Sequence, residues 1–152
     1  MAQVENTPVT SGHLSGREHV FPVRVYYEDT DFTGVVYHAR YLHFFERGRT
    51  EWLRTIGVSH TDLGEGRFGE ELVFAIRRLA VDYKQPAKVD DILQVRTILS
   101  QFKGARWLLK QEMTRLGDGA SIALGEVEVL LMNRDGVPRR VPTELLAIIE
   151  GR

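Results

Sequence analysis

Residues 38–56 read HARYLHFFERGRTEWLRTI. Tyr41, Phe45, Gly48 and Trp52 recur at intervals of three and four, the spacing of one face of an α-helix. Leu42, Leu53 and Ile56 widen that face, while His43, Arg47, Thr50 and Arg54 form a largely polar stripe. Gly48 lowers helix propensity, so its place on the apolar face predicts close approach of another backbone. Gly57 is a natural stop just past the last turn. At 1.5 Å per residue such a helix spans about 29 Å. Its apolar face needs something to bury against.

The flanking sequence supplies it. Upstream, Val20 to Tyr27 alternates: Phe21, Val23, Val25 and Tyr27 fall on one side, Pro22, Arg24 and Tyr26 on the other. That is the two-residue period of a strand. Between strand and helix stands an acidic turn, Tyr27-Glu28-Asp29-Thr30-Asp31-Phe32-Thr33-Gly34-Val35-Val36-Tyr37-His38. Downstream, Ser59 to Glu70 reads as a loop with room for a short helical turn, Ser59 and Asp62 standing at capping-box spacing but with Asp for Glu or Gln. Four strand-like segments follow. Leu72 to Tyr83 is almost wholly apolar, which predicts cover on both faces. Leu93, Val95, Thr97 and Leu99 share a face, as do Trp107, Leu109 and Met113, and then Val127, Val129 and Leu131. The breaks at Gln85-Pro86, Lys103-Gly104, Gly117-Asp118-Gly119 and Asp135-Gly136 are turn chemistry, short enough for an antiparallel meander. Pro142 and Thr143 open a short C-terminal helix, Glu144 to Ile149. A strand, one long helix and four strands solve their burial problem together when an antiparallel five-stranded sheet curls around the helix, an α+β arrangement. The sheet edges stay open in such a layer, and pairing with a second copy is one way to close them.

Composition narrows the classes. The 152 residues suffice for one domain, expected over 18–152, behind a flexible polar tail over 1–17. A net charge of −1 argues against a nucleic-acid partner. The chain has no cysteine, which excludes disulfides and thiolate chemistry and fits a cytoplasmic location. No run is long enough for a transmembrane segment. Asp29, Asp31, His38 and His43 match no standard zinc spacing, so the metal expectation is none. There is no Gly-x-Ser-x-Gly elbow and no phosphate-binding Gly-rich loop ending in Lys-Ser/Thr.

The pattern Tyr27-x-Asp29-x-Asp31-x-x-Gly34-Val35-Val36-Tyr37-His38-x-x-Tyr41, followed by Phe45-Glu46-Arg47-x-Arg49-x-Glu51, resembles the signature of the 4-hydroxybenzoyl-CoA thioesterase family. Within that family it is most similar to the Tol-Pal-associated acyl-CoA thioesterases. The resemblance runs from about Val20 through Pro142. It implies a hotdog fold, an acyl-CoA substrate, no cofactor beyond the coenzyme A of that substrate, and a homodimer or homotetramer with active sites at subunit interfaces. It makes Asp31 the catalytic carboxylate and puts the His38 backbone N–H where the family holds the thioester carbonyl oxygen. Gly34, Val36, Tyr37 and Tyr41 become the expected substrate-binding positions.

The chemistry is sound on its own terms. The first N–H groups of a helix lack intrahelical partners and sit at the positive end of its dipole, so they can stabilise a developing oxyanion. A carboxylate is ionised at neutral pH and can attack a thioester directly or deprotonate a water. Sequence leaves both routes open, and also whether the His38 side chain takes part. Asp29 reads as a turn-capping residue, Gly34 as a turn glycine, and Tyr41 as core or pocket wall. Glu46 is a reserve carboxylate whose simpler role is an ion pair with Arg47 or Arg49. Lys84, Lys88, Lys103, Arg106, Arg139 and Arg140 stand at strand ends or turns, where phosphates of coenzyme A are within reach. Phe32, Tyr41, Phe45, Trp52, Phe68 and Phe74 are the expected apolar pocket walls. Two other functions remain: a hotdog hydratase or dehydratase working through Asp31 and His38, and a non-catalytic acyl-CoA-binding module.

Overall fold

The computed structural model describes residues 11–151. In chain order these form β1 (His13–Ser15), β2 (Glu18–Arg24), a 3-10 turn (Tyr27–Asp29), α1 (Arg40–Thr55), α2 (His60–Gly64), β3 (Leu72–Tyr83), β4 (Ile92–Lys103), β5 (Arg106–Arg115), β6 (Ser121–Asn133) and α3 (Thr143–Ile149). The strands make one antiparallel sheet in the order β1-β2-β4-β5-β6-β3. Its inner face packs on α1, which is the expected hotdog architecture. Strands β4, β5 and β6 are a meander, whereas β3 skips over and pairs with β6 at the far edge.

Six strands replace the expected five because residues 13–15 add an edge strand, His13 standing opposite Val20. The mobile tail expected over 1–17 therefore does not reach Arg17; its first ten residues lie outside the described residues. The cause is His19, fully buried, whose Nε2 lies 2.8 Å from the Ser11 carbonyl and 3.1 Å from the Thr55 hydroxyl. That contact ties the segment to the C-terminal end of α1.

The core has two apolar clusters strung along the helix. Tyr41, Phe44 and Phe45 pack with Leu93, Val95, Met113 and Ile122 at one end, and Trp52 and Leu53 with Trp107, Leu109, Val127 and Leu131 at the other. A polar layer separates them. Buried Gln111 donates through Nε2 to the Phe45 carbonyl and to Thr97 Oγ1, both at 2.9 Å. Gly48 faces this layer, and a Cβ there would stand 2.6 Å from Val95 Cγ1. The approach at Gly48 is close, but it is made by side chains of the sheet and not by the backbone that the sequence predicts.

Three local expectations change. Tyr27 leaves the strand, which stops at Arg24; it lies in the 3-10 turn, its side chain largely in water. Strand β3 is not covered on both faces: within one chain it is an edge with Ile76 and Tyr83 exposed, and its register with β6 shifts between Ile76 and Arg78. The Ser59–Asp62 capping box forms despite its Asp, the Asp62 N–H donating to Ser59 Oγ at 3.0 Å and the Ser59 N–H to Asp62 Oδ2 at 3.4 Å. The C-terminal helix forms as expected, one residue earlier at Thr143.

Candidate active site

The acidic turn is built by its own hydrogen bonds. Asp29 is buried; its Oδ2 accepts from the Tyr26 N–H at 2.8 Å, and its Oδ1 lies 3.3 Å from Arg40 Nε. Arg40 also donates to the Glu28 carbonyl at 3.2 Å, stapling the turn to the first residue of α1. Asp29 is thus the turn residue, as its spacing predicts. The Tyr37 N–H donates to the Asp29 carbonyl at 2.9 Å, and the Val36 N–H to the Ala87 carbonyl at 2.9 Å. Thr30 and Val36 form an isolated antiparallel bridge that closes the loop.

Asp31 sits at the tip. The Gly34 N–H donates to the Asp31 carbonyl at 3.0 Å, and Gly34 has φ of 86°, a left-handed conformation that glycine adopts without strain. The Asp31 carboxylate is open to solvent. Oδ1 accepts from the Thr33 hydroxyl and from the Thr33 N–H, the latter at 2.8 Å. These two bonds, the hydroxyl first, hold its pKa below the usual carboxylate value, with the charge of nearby His38 a smaller contribution in the same direction.

His38 precedes the helix, which begins at Arg40, so it stands two residues ahead of the expected position at the helix start. Its carbonyl accepts from the Tyr83 hydroxyl at 2.8 Å, and its ring lies against Tyr37, centroids 4.6 Å apart. The N–H groups of His38 and Ala39 have no acceptor among the described residues. Val36, His38, Tyr41, Tyr83 and Lys84 line an open hollow of about 290 Å³ here. Tyr41 is buried and accepts from the Ala87 N–H at 3.1 Å; burial raises its pKa, which keeps the phenol protonated. Tyr37 is half exposed and outside the hollow's lining.

The structure brings together Val36, His38 and Tyr41 in the lining of the hollow, with Asp31 and Gly34 on the adjoining turn. It separates several other candidates. Among the described residues Glu46 makes no ion pair with Arg47 or Arg49; the helix pair is Glu51 with Arg54, at 3.2 Å. Of the basic positions, Lys84 alone lines the hollow, while Arg106 and Arg139 pair with Glu128 and Glu70. Of the expected pocket walls, Phe32 is fully exposed and Phe45 fully buried in the core, whereas Trp52 and Phe74 line a second cavity near the far end of α1. Sequence reading missed Tyr83 and Arg40. Tyr83 had no local signal, since its partner is 45 positions away. Arg40, one turn beyond an acidic pair, had one. Among the described residues no three His, Asp or Glu side chains converge as a metal cluster.

A long α1 inside a curled antiparallel sheet, with an acidic turn at its start, is the hotdog architecture. The chain belongs to the thioesterase-like superfamily, whose family model matches residues 25–149. It is 56% identical over 95 residues to the acyl-CoA thioesterase YbgC of Haemophilus influenzae, covering 62% of this chain and 68% of that one. It is 39% identical over 130 residues to the acyl-CoA thioester hydrolase YbgC of Escherichia coli O157:H7, covering 84% and 92%. Among solved structures it is similar to a probable thioesterase from Bartonella henselae, with a TM-score of 0.79, 45% identity and coverage of 82% and 99%. A 4-hydroxybenzoyl-CoA thioesterase variant in complex with 4-hydroxybenzoyl-CoA superposes with a TM-score of 0.80 at 15% identity, covering 88% and 99%, a likeness of fold.

Proposed function

We propose that this protein hydrolyses the thioester of short-chain or aromatic acyl-coenzyme A, releasing the free acid and coenzyme A. The observation that carries this reading is the Asp31 carboxylate, held in its ionised form on the Gly34 turn within reach of the His38 charge, together with the unpartnered N–H of His38 ahead of α1. The reading has further support in the names of the relatives at 39–56% identity.

In the proposed reaction the thioester carbonyl oxygen accepts from the His38 N–H, and the Tyr83 hydroxyl, bonded to the His38 carbonyl, fixes the following peptide, the one that carries the Ala39 N–H. Asp31 takes a proton from a water whose oxygen adds to the carbonyl carbon. The tetrahedral oxyanion then collapses, the C–S bond breaks, and the coenzyme A thiolate leaves. In the alternative order Asp31 attacks first, giving an acid anhydride that water opens. An oxyanion donor is worth about 3–4 kcal/mol of barrier. Gly34 leaves space at the turn, Val36 and Tyr41 form the wall behind the hollow, and Tyr37 buttresses the His38 ring. Lys84, beside His38, is placed to meet a phosphate of coenzyme A. The His38 ring and an active cytoplasmic setting belong to this reading as well.

Assembly is part of it. Tyr26, Tyr27, Phe32 and Tyr37 stand exposed around Asp31, and the β3 edge is unpaired within one chain. We place a second copy over these surfaces, as a homodimer or a pair of dimers, so that the hollow is closed at a subunit interface. Light scattering on the purified protein tests this; a monomer at micromolar concentration overturns it.

Thiol release from an acyl-CoA panel tests the activity. Asp31→Asn keeps shape and removes the charge, so kcat falls by roughly 10²–10⁴-fold with an unchanged melting temperature. Unaltered turnover in that variant removes Asp31 from the mechanism. Hydration of crotonyl-CoA in place of thiol release turns the assignment to a hydratase. Single turnover in ¹⁸O-water identifies direct attack, because label enters the Asp31 carboxylate only when that group forms the anhydride and water opens it at the Asp31 carbon.

A further inference from the structure

The second cavity lies between α1 and strands β3, β5 and β6, and holds about 280 Å³. Its walls are Trp52, Phe74, Trp107 and Val129, with Arg49, Thr50 and His60 at the polar side. Small-ligand sites run from about 300 to 1,000 Å³, so this one admits a single ring or a short branched chain.

Arg49 is the unusual wall. It is half-buried, and among the described residues no carboxylate comes within ion-pair distance of it. Its one hydrogen bond is from Nη1 to Gln111 Oε1, at 3.0 Å. Gln111 is fixed in turn, because both acceptors of its Nε2, the Phe45 carbonyl and Thr97 Oγ1, orient the amide with its oxygen toward Arg49. A guanidinium carries five N–H donors, so most remain free, and they are held without a flexible counter-ion. Burial lowers the Arg49 pKa, as it does for a charge kept from water; the group stays a cation. Glu46 at the rim is exposed, and its charge acts on Arg49 from beyond contact distance. His60, its pKa lowered by burial, bonds with Thr50 Oγ1 at 3.0 Å and adds no fixed charge at neutral pH. Trp107 Nε1 is a buried donor that lacks an acceptor.

We propose that this cavity binds a compact planar monoanion, an aromatic carboxylate, with its ring among Trp52, Phe74 and Trp107 and its carboxylate on Arg49. A half-buried cation with spare donors beside aromatic faces is the complement of such an anion, and bidentate guanidinium–carboxylate pairing supplies the selectivity. The site does not depend on the thioesterase reading, and its ligand is of the class that hydrolysis of an aromatic thioester would release.

The chain has two tryptophans, and both line this cavity, so intrinsic fluorescence reads it directly. Sodium benzoate is titrated against benzamide, its neutral counterpart. The expected result is a saturable change with benzoate, with benzamide at least tenfold weaker. Arg49→Met should weaken benzoate at least tenfold and leave benzamide unchanged; Arg49→Lys, which keeps the charge and loses the fork, should fall between. If Arg49→Met does not fold, the benzoate and benzamide pair on the native protein decides alone. A flat emission, as when a side chain of a second copy fills the space, overturns the proposal. So does equal affinity for benzoate and benzamide, or undiminished benzoate binding by Arg49→Met.

Discussion

Replacing Gly48 by alanine probes the seat of the helix on the sheet. Two effects oppose each other. In a helix interior alanine gains about 0.8–1 kcal/mol over glycine. Against that, the new Cβ would stand 2.6 Å from Val95 Cγ1, 3.2 Å from Gln111 Nε2 and 3.3 Å from Thr97 Oγ1. Carbon atoms rest at about 3.5–4.0 Å, so the first contact is short by roughly 1 Å. Val95 has little room to yield: it is β-branched, fully buried, and on β4 between β2 and β5. The helix therefore has to lift. Overpacking of this kind costs about 1–3 kcal/mol. Lifting also stretches the 2.9 Å bond from Gln111 to the Phe45 carbonyl, about 1 kcal/mol more. The net is a loss of about 1–3 kcal/mol, or roughly 3–10 °C in Tm for a chain of this size. Calorimetric melting measures it, with Val95→Ala as the second arm of a cycle. Without Cγ1 the clash disappears, so the Gly48→Ala change should cost little or even stabilise in that background. A Gly48→Ala protein that melts at or above the parent refutes the reasoning, as does an equal cost in both backgrounds.

The remaining expectations concern protons. The Thr33 hydroxyl favours the ionised form of Asp31, so Thr33→Ala should move the acid limb of the kcat–pH profile upward, toward the unperturbed value of about 3.9; a limb that stays or moves down contradicts that role. His19 is buried and held below its ordinary pKa mainly by burial, so the folded state favours the neutral ring while the unfolded chain takes up a proton near about pH 6.5. Stability is then full above that pH and declines as pH falls through it toward the folded pKa, with His60 acting in the same sense. Denaturation midpoints should drop on acidification, and His19→Gln should flatten the slope; parallel curves for the two proteins would exclude His19 as a contributor.

Much of this architecture was legible in residues 38–56. The helical spacing of Tyr41, Phe45, Gly48 and Trp52 fixed which face is buried, because period alone determines it. The candidate site was legible in part. Asp29 and Gly34 act through bonds to near neighbours, and such bonds have sequence signatures. Tyr83 and Gln111 do not. Each bonds a residue far away in the chain, His38 ahead of α1 for Tyr83 and Phe45 within it for Gln111, and nothing in its immediate sequence marks it. Strand β3 misled for a related reason: a nearly continuous apolar run reports that both faces avoid water, and is silent on whether the same chain covers them. The extra strand β1 was hidden by composition, since a short polar segment joins a sheet only when something like His19 holds it.

The strand order has a consequence in time. Strand β3 precedes β4 and β5 in the chain, yet among the described residues its only hydrogen-bonded neighbour is β6. As the chain leaves the ribosome, β2, β4 and β5 can zip together one after another. This 12-residue, largely apolar strand has to wait until residues 121–133 emerge. Through that interval its backbone donors and acceptors are an open template, the condition under which nascent chains aggregate or recruit chaperones. The adjacent pair Arg77 and Arg78, set at the register shift in the middle of that strand, puts two charges where a stray strand would otherwise dock.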